Sequence, residues 1–150
     1  MRVIVTGAGG MLGGDVTDEL VGRDHEVYAL ARANLDITDP ADVEDALREI
    51  RPDVVVNCAA WTDVDGAEAN ERAAMAVNDT GAGLLARAAR DRGASIVQIS
   101  SDYVFDGAKR TPYVESDMPN ALSAYGRSKQ AGETSVAVAN PRHWIVRTSW

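Results

Sequence analysis

Short apolar runs alternate with stretches of helical periodicity along the whole chain. Arg2–Thr6 is an apolar run that ends in glycines and predicts a first strand. Leu12 to Val21 carries a helical pattern, with Gly22 placed to end it. Glu26–Leu30 predicts a second strand. Asp39-Pro40 joins an N-capping side chain to a proline at the first helical position, and the helix it opens should run to Ile50. Pro52 blocks continuation, and Val54–Val56 predicts a buried strand. One long helical pattern extends from Ala67 to Arg92 and closes at Gly93. Ser95–Ser100 predicts a strand, the Pro/Gly/Asp-rich stretch from Asp106 to Asn120 a loop, Tyr125–Ala139 a helix and Trp144–Arg147 a last strand.

Repeated strand–helix–strand units imply a parallel sheet covered on both faces. The strands are continuous apolar runs, as doubly covered strands are. The expected fold class is therefore α/β, a Rossmann-type doubly wound parallel sheet. No internal repeat or interdomain linker interrupts it. The sequence stops just after a predicted strand, so the expectation is an N-terminal domain cut before a substrate domain.

Composition narrows the function. A chain of 150 residues suits one domain with a sizeable core. A net charge of -8 argues against nucleic acid and anionic membrane as partners, since both need clustered Lys/Arg. No apolar run approaches the roughly 20 residues that span a bilayer. The N-terminus leads straight into the first strand with no expected signal peptide, and Cys58 is the single cysteine. A cytoplasmic location is the expectation, with Cys58 a small core residue.

The chemistry begins at Gly7-Ala8-Gly9-Gly10-Met11-Leu12-Gly13, which fits G-x-x-G-x-x-G between a strand and a helix. Glycines permit a tight turn and close approach of a pyrophosphate, and the helix N-terminus offers free N–H groups. Dinucleotide binding is expected here. The end of the second strand, Leu30-Ala31-Arg32, has no carboxylate to bind a ribose 2′-hydroxyl, while Arg32 could pair with a 2′-phosphate. NADP(H) is favoured, with NAD(H) an alternative. Asp36 could accept from an adenine amino group and Ile37 pack on the ring, or Asp36 could start the turn into the Asp39-Pro40 helix.

Tyr125 and Lys129 stand four residues apart and share one helix face. With only two lysines and four tyrosines, such a pair arises by chance in roughly 5 % of chains of this composition, so it is informative. A tyrosine can give the proton that ketone reduction needs, and a nearby ammonium would lower its pKa of about 10. Ser101 follows a predicted strand at its C-terminal end, where open parallel sheets bind ligands, and could donate to the carbonyl.

Together these residues resemble the extended short-chain dehydrogenase/reductase family over essentially the whole chain. Ser100-Ser101-Asp102-Tyr103-Val104-Phe105-Asp106-Gly107 is similar to the S-T-D-Y-V-F-x-G segment of the dTDP-4-dehydrorhamnose reductase family. Val56–Asp65 and Arg147-Thr148-Ser149-Trp150 resemble the same family. The resemblance implies NADPH-dependent reduction of dTDP-4-dehydro-L-rhamnose. It implies Gly10, Met11 and Leu12 at the pyrophosphate, Asp36 and Ile37 at adenine, and Ala60, Trp61 and Thr62 along the nicotinamide side. Tyr125 would be the proton donor and Lys129 would hold the nicotinamide ribose. Ser101 and Asp102 would meet the sugar, with Trp150 on the substrate-facing loop. A homodimer of the full-length protein is compatible with it.

Ser101 departs from the family's usual Thr but keeps the hydroxyl. Asp15 stands where some members carry a glutamate linked to magnesium; it is read as a first-turn partner of the helix dipole, and no metal is predicted. Family members run to roughly 300 residues. Two alternatives stay open: a reductase-like regulatory subunit without catalysis, and a nucleotide-sugar epimerase or dehydratase.

Overall fold

The strands are β1 (Arg2–Thr6), β2 (Glu26–Leu30), β3 (Val54–Asn57), β4 (Ser95–Ser101) and β5 (His143–Thr148). They form one parallel sheet in the order β2-β1-β3-β4-β5. The helices are α1 (Met11–Gly22), α2 (Pro40–Ile50), α3 (Val64–Ala69), α4 (Glu71–Met75), α5 (Ala82–Asp91) and α6 (Ala124–Ala139). This computed structural model describes residues 1–149, so the expectation for Trp150 lies outside the described residues. Among them, no helix is long and apolar enough to cross a membrane.

Successive strand residues face opposite layers, and β1 shows both layers covered: Val3, Ile4 and Val5 are all buried. Ile4, Val55 and Ile96 meet Val43 and Leu47 of α2, Leu85 and Ala89 of α5, and Val136 of α6. Each fully buried aliphatic side chain of this kind contributes about 1.5–3 kcal/mol. Burial on both faces does not extend to β2 and β5, which are sheet edges; Trp144 and Val146 of β5 are exposed.

Local chemistry sets the helix ends. The Asp39 carboxylate accepts from Ala41 N at 2.8 Å to start α2, and Arg51 closes it in the left-handed region at φ 52°. Ser123 Oγ accepts from Gly126 N at 3.0 Å to start α6.

The single helix expected from Ala67 to Arg92 is not what forms. Asn70, at φ -135° and ψ 37°, separates α3 from α4. Its side chain donates to Gly66 O at 2.9 Å while its own carbonyl accepts from Ala73 N, a local arrangement that competes with helix continuation. A π-helical segment, Ala76–Gly81, then joins α4 to α5. The wider turn presents Asn78 to the residues after β3, and Gly132 of α6 fits against it: a Cβ there would lie 2.0 Å from Asn78 O.

Strand order reverses direction at β1 and β3, since β2 lies to one side of β1 and β3 to the other. Such a switch point leaves a crevice at the carboxyl ends of the strands.

Candidate cofactor and active site

The glycine turn occupies that crevice. Gly7 adopts φ +67°, and a Cβ on it would lie 2.6 Å from Ala59 N. A Cβ on Gly13 would lie 2.3 Å from Gly7 O. Both positions therefore admit only glycine without a backbone shift. Gly10 caps α1 with no side-chain hydrogen bond and no acidic residue in the first turn, whereas α2, α3 and α6 all carry side-chain caps. The first N–H groups of α1 are left to face the crevice with the positive end of the helix dipole. Asp15 sits past this first turn, so its reading as a first-turn residue is corrected. Among the described residues, no three His, Cys, Asp or Glu side chains gather as a metal site requires.

Two cavities open from the turn. One, of about 530 Å³, is lined by Ala31, Arg32, Asp36, Ile37 and Trp61 beside Gly7 and Gly10. The other, of about 450 Å³, is lined by Met11, Leu12, Gly13, Ser101, Asp102, Tyr125 and Lys129. Gly7, Gly10, Cys58, Ala60 and Thr62 line both, so the two make one trough across the strand ends. A dinucleotide needs this shape: an uncapped helix N-terminus at the middle and a chamber at each end. Ser100, on the wall of the second cavity, buries an Oγ that has no hydrogen-bond partner among the described residues.

In the first cavity the Arg32 side chain is 86 % exposed and 3.9 Å from the Asp36 carboxylate, free to turn toward a phosphate. Asp36 Oδ1 accepts from Thr38 N at 2.9 Å and from Thr38 Oγ1 at 2.7 Å, bonds that hold its carboxyl below the ordinary range. Asp36 thus starts the turn into α2, with Oδ2 facing Arg32. Ile37 is buried in the core against Gly81, so it offers the cavity a wall rather than a free side chain.

In the second cavity α6 carries Tyr125 and Lys129, both buried. Lys129 Nζ donates to Ile99 O at 2.8 Å. Burial pushes Lys129 down to about 8, against the pull of Glu133. Burial raises the Tyr125 pKa, and Ser101 opposes that rise as a hydrogen-bonding neighbour. The expected lowering of Tyr125 by Lys129 is not what this geometry produces, because desolvation outweighs the other influences on the phenol. Ser101 Oγ donates to Asp102 Oδ1 at 3.1 Å and accepts from Tyr103 N at 3.2 Å. The Tyr103 ring stands edge-on to Tyr125, with centroids 5.5 Å apart.

A stability effect follows. Folded Lys129 titrates near 8 against an ordinary 10.5, so between these values the unfolded chain binds more protons and stability rises with pH. Cys58, pushed up to about 11 by burial, gives the opposite slope above its ordinary 9.0. The clear window is therefore about pH 8 to 9, where the gain is about 1 kcal/mol, or roughly 2–4 °C in Tm. Melts of the parent and Lys129→Met at pH 7, 8 and 9 check this. The parent should gain on the variant as pH rises, and a constant difference would contradict it.

Sequence reasoning missed several residues here. Asn78 clasps the Trp61 backbone: its Oδ1 accepts from Trp61 N at 2.9 Å and its Nδ2 donates to Trp61 O at 3.1 Å. Its Nδ2 also reaches Ser128 Oγ on α6 at 2.8 Å, tying the wall of one cavity to the helix of the other. No periodicity signals a role of this kind. Ser100 and Tyr103 lay inside the Ser-Asp-Tyr motif but only the fold turns them toward the cavity.

Known proteins are similar to this chain in sequence and fold. The chain is 49 % identical over 150 residues to a dTDP-4-keto-6-deoxy-D-glucose reductase of Streptomyces niveus, covering 99 % of this chain and 52 % of the relative. It superimposes on the crystal structure of a dTDP-4-dehydrorhamnose reductase from Clostridium acetobutylicum with a TM-score of 0.98 and 45 % identity, covering 100 % of this chain and 54 % of that one. A dTDP-4-dehydrorhamnose reductase from Bacillus anthracis, solved in complex with NADP, gives 0.96 and 42 %, covering 99 % and 53 %. The chain spans about half the length of these proteins. The match to the family described as the RmlD substrate binding domain runs over residues 1–150, so the chain belongs to that family.

Proposed function

We propose that this chain is the NADP(H)-binding and catalytic domain of an enzyme that reduces the 4-ketone of a nucleotide sugar, dTDP-4-dehydro-L-rhamnose, to the alcohol. The observation that carries the reading is the meeting of Tyr125, Lys129 and Ser101 in a cavity continuous with the glycine turn. Bound NADPH would supply the hydride to the carbonyl carbon. Gly10, Met11 and Leu12 would hold its pyrophosphate on the N–H groups of α1. Lys129, anchored by Ile99 O, keeps two N–H donors for the nicotinamide ribose. Tyr125 is kept protonated by burial and would give its proton to the carbonyl oxygen. The Ser101 proton, directed at Asp102, would be drawn to the same oxygen when a carbonyl competes for it. A lone, part-buried thiol at Cys58 suits a reducing cytoplasm.

Groups that read the sugar and nucleotide are assigned to the additional length that the relatives have. The 150-residue chain should accordingly bind NADPH weakly and turn over little. Steady-state NADPH oxidation by the full reading frame with dTDP-4-dehydrorhamnose tests the reading. Tight cofactor binding with no oxidation by any dTDP- or UDP-4-ketosugar would replace it with a regulatory role.

Cofactor choice rests on Arg32. Arg32→Asp should weaken NADPH more than NADH by roughly 1.5–3 kcal/mol, the size of a hydrogen bond to a charged group. Fluorescence titrations with both cofactors check this, and equal changes would contradict it.

A further inference from the structure

A buried line of polar side chains runs beneath the catalytic cavity and takes no part in the reaction outlined above. Thr6, Asn57 and Gln98 are register partners on β1, β3 and β4, and none is more than 2 % exposed. Thr6 Oγ1 donates to Asn57 Oδ1 at 2.6 Å, and Asn57 Nδ2 donates to Gln98 Oε1 at 2.7 Å. Gln98 Nε2 donates to Ile99 O at 3.0 Å. That same carbonyl accepts Lys129 Nζ at 2.8 Å.

The direction of the line is set by the backbone. Ala59 N donates to Asn57 Oδ1 at 3.2 Å, so the oxygen end of the Asn57 amide must face it. The NH₂ end then faces Gln98, which must present its own oxygen to Asn57 and its NH₂ to Ile99. Three apolar side chains of similar size would fill this space without any such requirement. Buried amides must be paired to be tolerated, and every link here is made.

We propose that Thr6, Asn57 and Gln98 are positioning residues for Lys129: they hold the Ile99 carbonyl where it anchors Nζ and leaves the remaining ammonium donors facing the cavity. The consequence for cofactor binding rests on the reading of Lys129 given above. The line also connects the two functional parts of the site, because Thr6 precedes the glycine turn and Ala59 packs against Gly7.

The test uses the 150-residue chain, whose only lysines are Lys109 and Lys129. Nζ nuclear magnetic resonance signals can therefore be assigned with Lys109→Arg and followed through a pH titration. The titratable groups acting on Lys129 are Glu133 and Cys58, and neither belongs to the line. Gln98→Met removes both amide links at nearly constant volume. It should shift the Lys129 Nζ signal and its titration midpoint, and, in the full reading frame, raise the NADPH dissociation constant about tenfold, as for one hydrogen bond to a charged group. Val43→Ala, a core change on α2, should lower Tm and leave the Lys129 signal unmoved. If Gln98→Met lowers Tm but leaves the Lys129 signal and midpoint at parent values, the line is structural only and the proposal fails. If Gln98→Met does not fold, Thr6→Val decides. It removes the bond to Asn57 Oδ1 with no added charge and almost no change of shape, and the Lys129 signal should shift; an unmoved signal overturns the proposal. Lys129→Met in the same NADPH titration separates the two readings. Unchanged affinity there would remove Lys129 from the cofactor site, while the Nζ signal would still report on the line.

Discussion

Tyr125→Phe is expected to lower turnover of a nucleotide 4-ketosugar by about 10²–10⁴-fold, the range of a lost general acid. The ring would stay in place, edge-on to Tyr103, so the cavity should keep its shape. What is lost is the one phenolic proton that burial keeps on the oxygen. NADPH affinity should change by less than about twofold, because the anchor of Lys129 on Ile99 O does not involve Tyr125. Ser101→Ala should also lower turnover. The double variant should lose less than the product of the two losses, since both groups act on one oxygen. Steady-state NADPH oxidation by the full reading frame, run beside cofactor titrations, measures each quantity. A Tyr125→Phe protein that turns over like the parent would place the proton source elsewhere.

Gly7→Ala is expected to destabilise the fold severely, because it combines a left-handed backbone with a backbone clash. A side chain at φ +67° costs about 1–2 kcal/mol. The new Cβ would also lie 2.6–2.7 Å from backbone atoms of Cys58 and Ala59, none of which can rotate away. Overpacking of that kind adds about 1–3 kcal/mol. The total of about 2–5 kcal/mol is a large share of ordinary domain stability and corresponds to a fall in Tm of roughly 5–20 °C. NADPH binding should be lost with it, since Gly7 lines both cavities and any shift of the turn moves α1. Gly10→Ala is the control. Its Cβ would meet only Gly7 O, at 3.4 Å, and should cost about 1 kcal/mol or less. Thermal melts of the two variants check the contrast, and equal stability would contradict it.

The sequence by itself determined the sheet, the glycine turn and the reactive pair. Each rests on short-range chemistry: continuous apolar runs for β1, β3 and β4, the Asp39-Pro40 start of α2, the spacing of Gly7, Gly10 and Gly13, and the four-residue step from Tyr125 to Lys129. Such signals survive because a strand or a helix turn places near neighbours in a fixed relation whatever surrounds them.

Tertiary structure decided the rest. The expected helix from Ala67 to Arg92 is rich in alanine, which satisfies many helical faces at once, so its periodicity conceals the break at Asn70 and the π segment that aims Asn78 at Trp61. The state of the reactive groups was also hidden. Spacing puts an ammonium near a phenol, but burial raises Tyr125 and lowers Lys129, and burial depends on what the whole fold places over them. The line from Thr6 through Asn57 and Gln98 to Ile99 joins residues 41 or more positions apart except at its last step. In sequence these are three unremarked polar residues, Thr6 and Asn57 at strand ends and Gln98 within β4. Only parallel pairing of β1, β3 and β4 in one register sets them side by side, because cross-strand neighbours are chosen by the sheet and not by the chain.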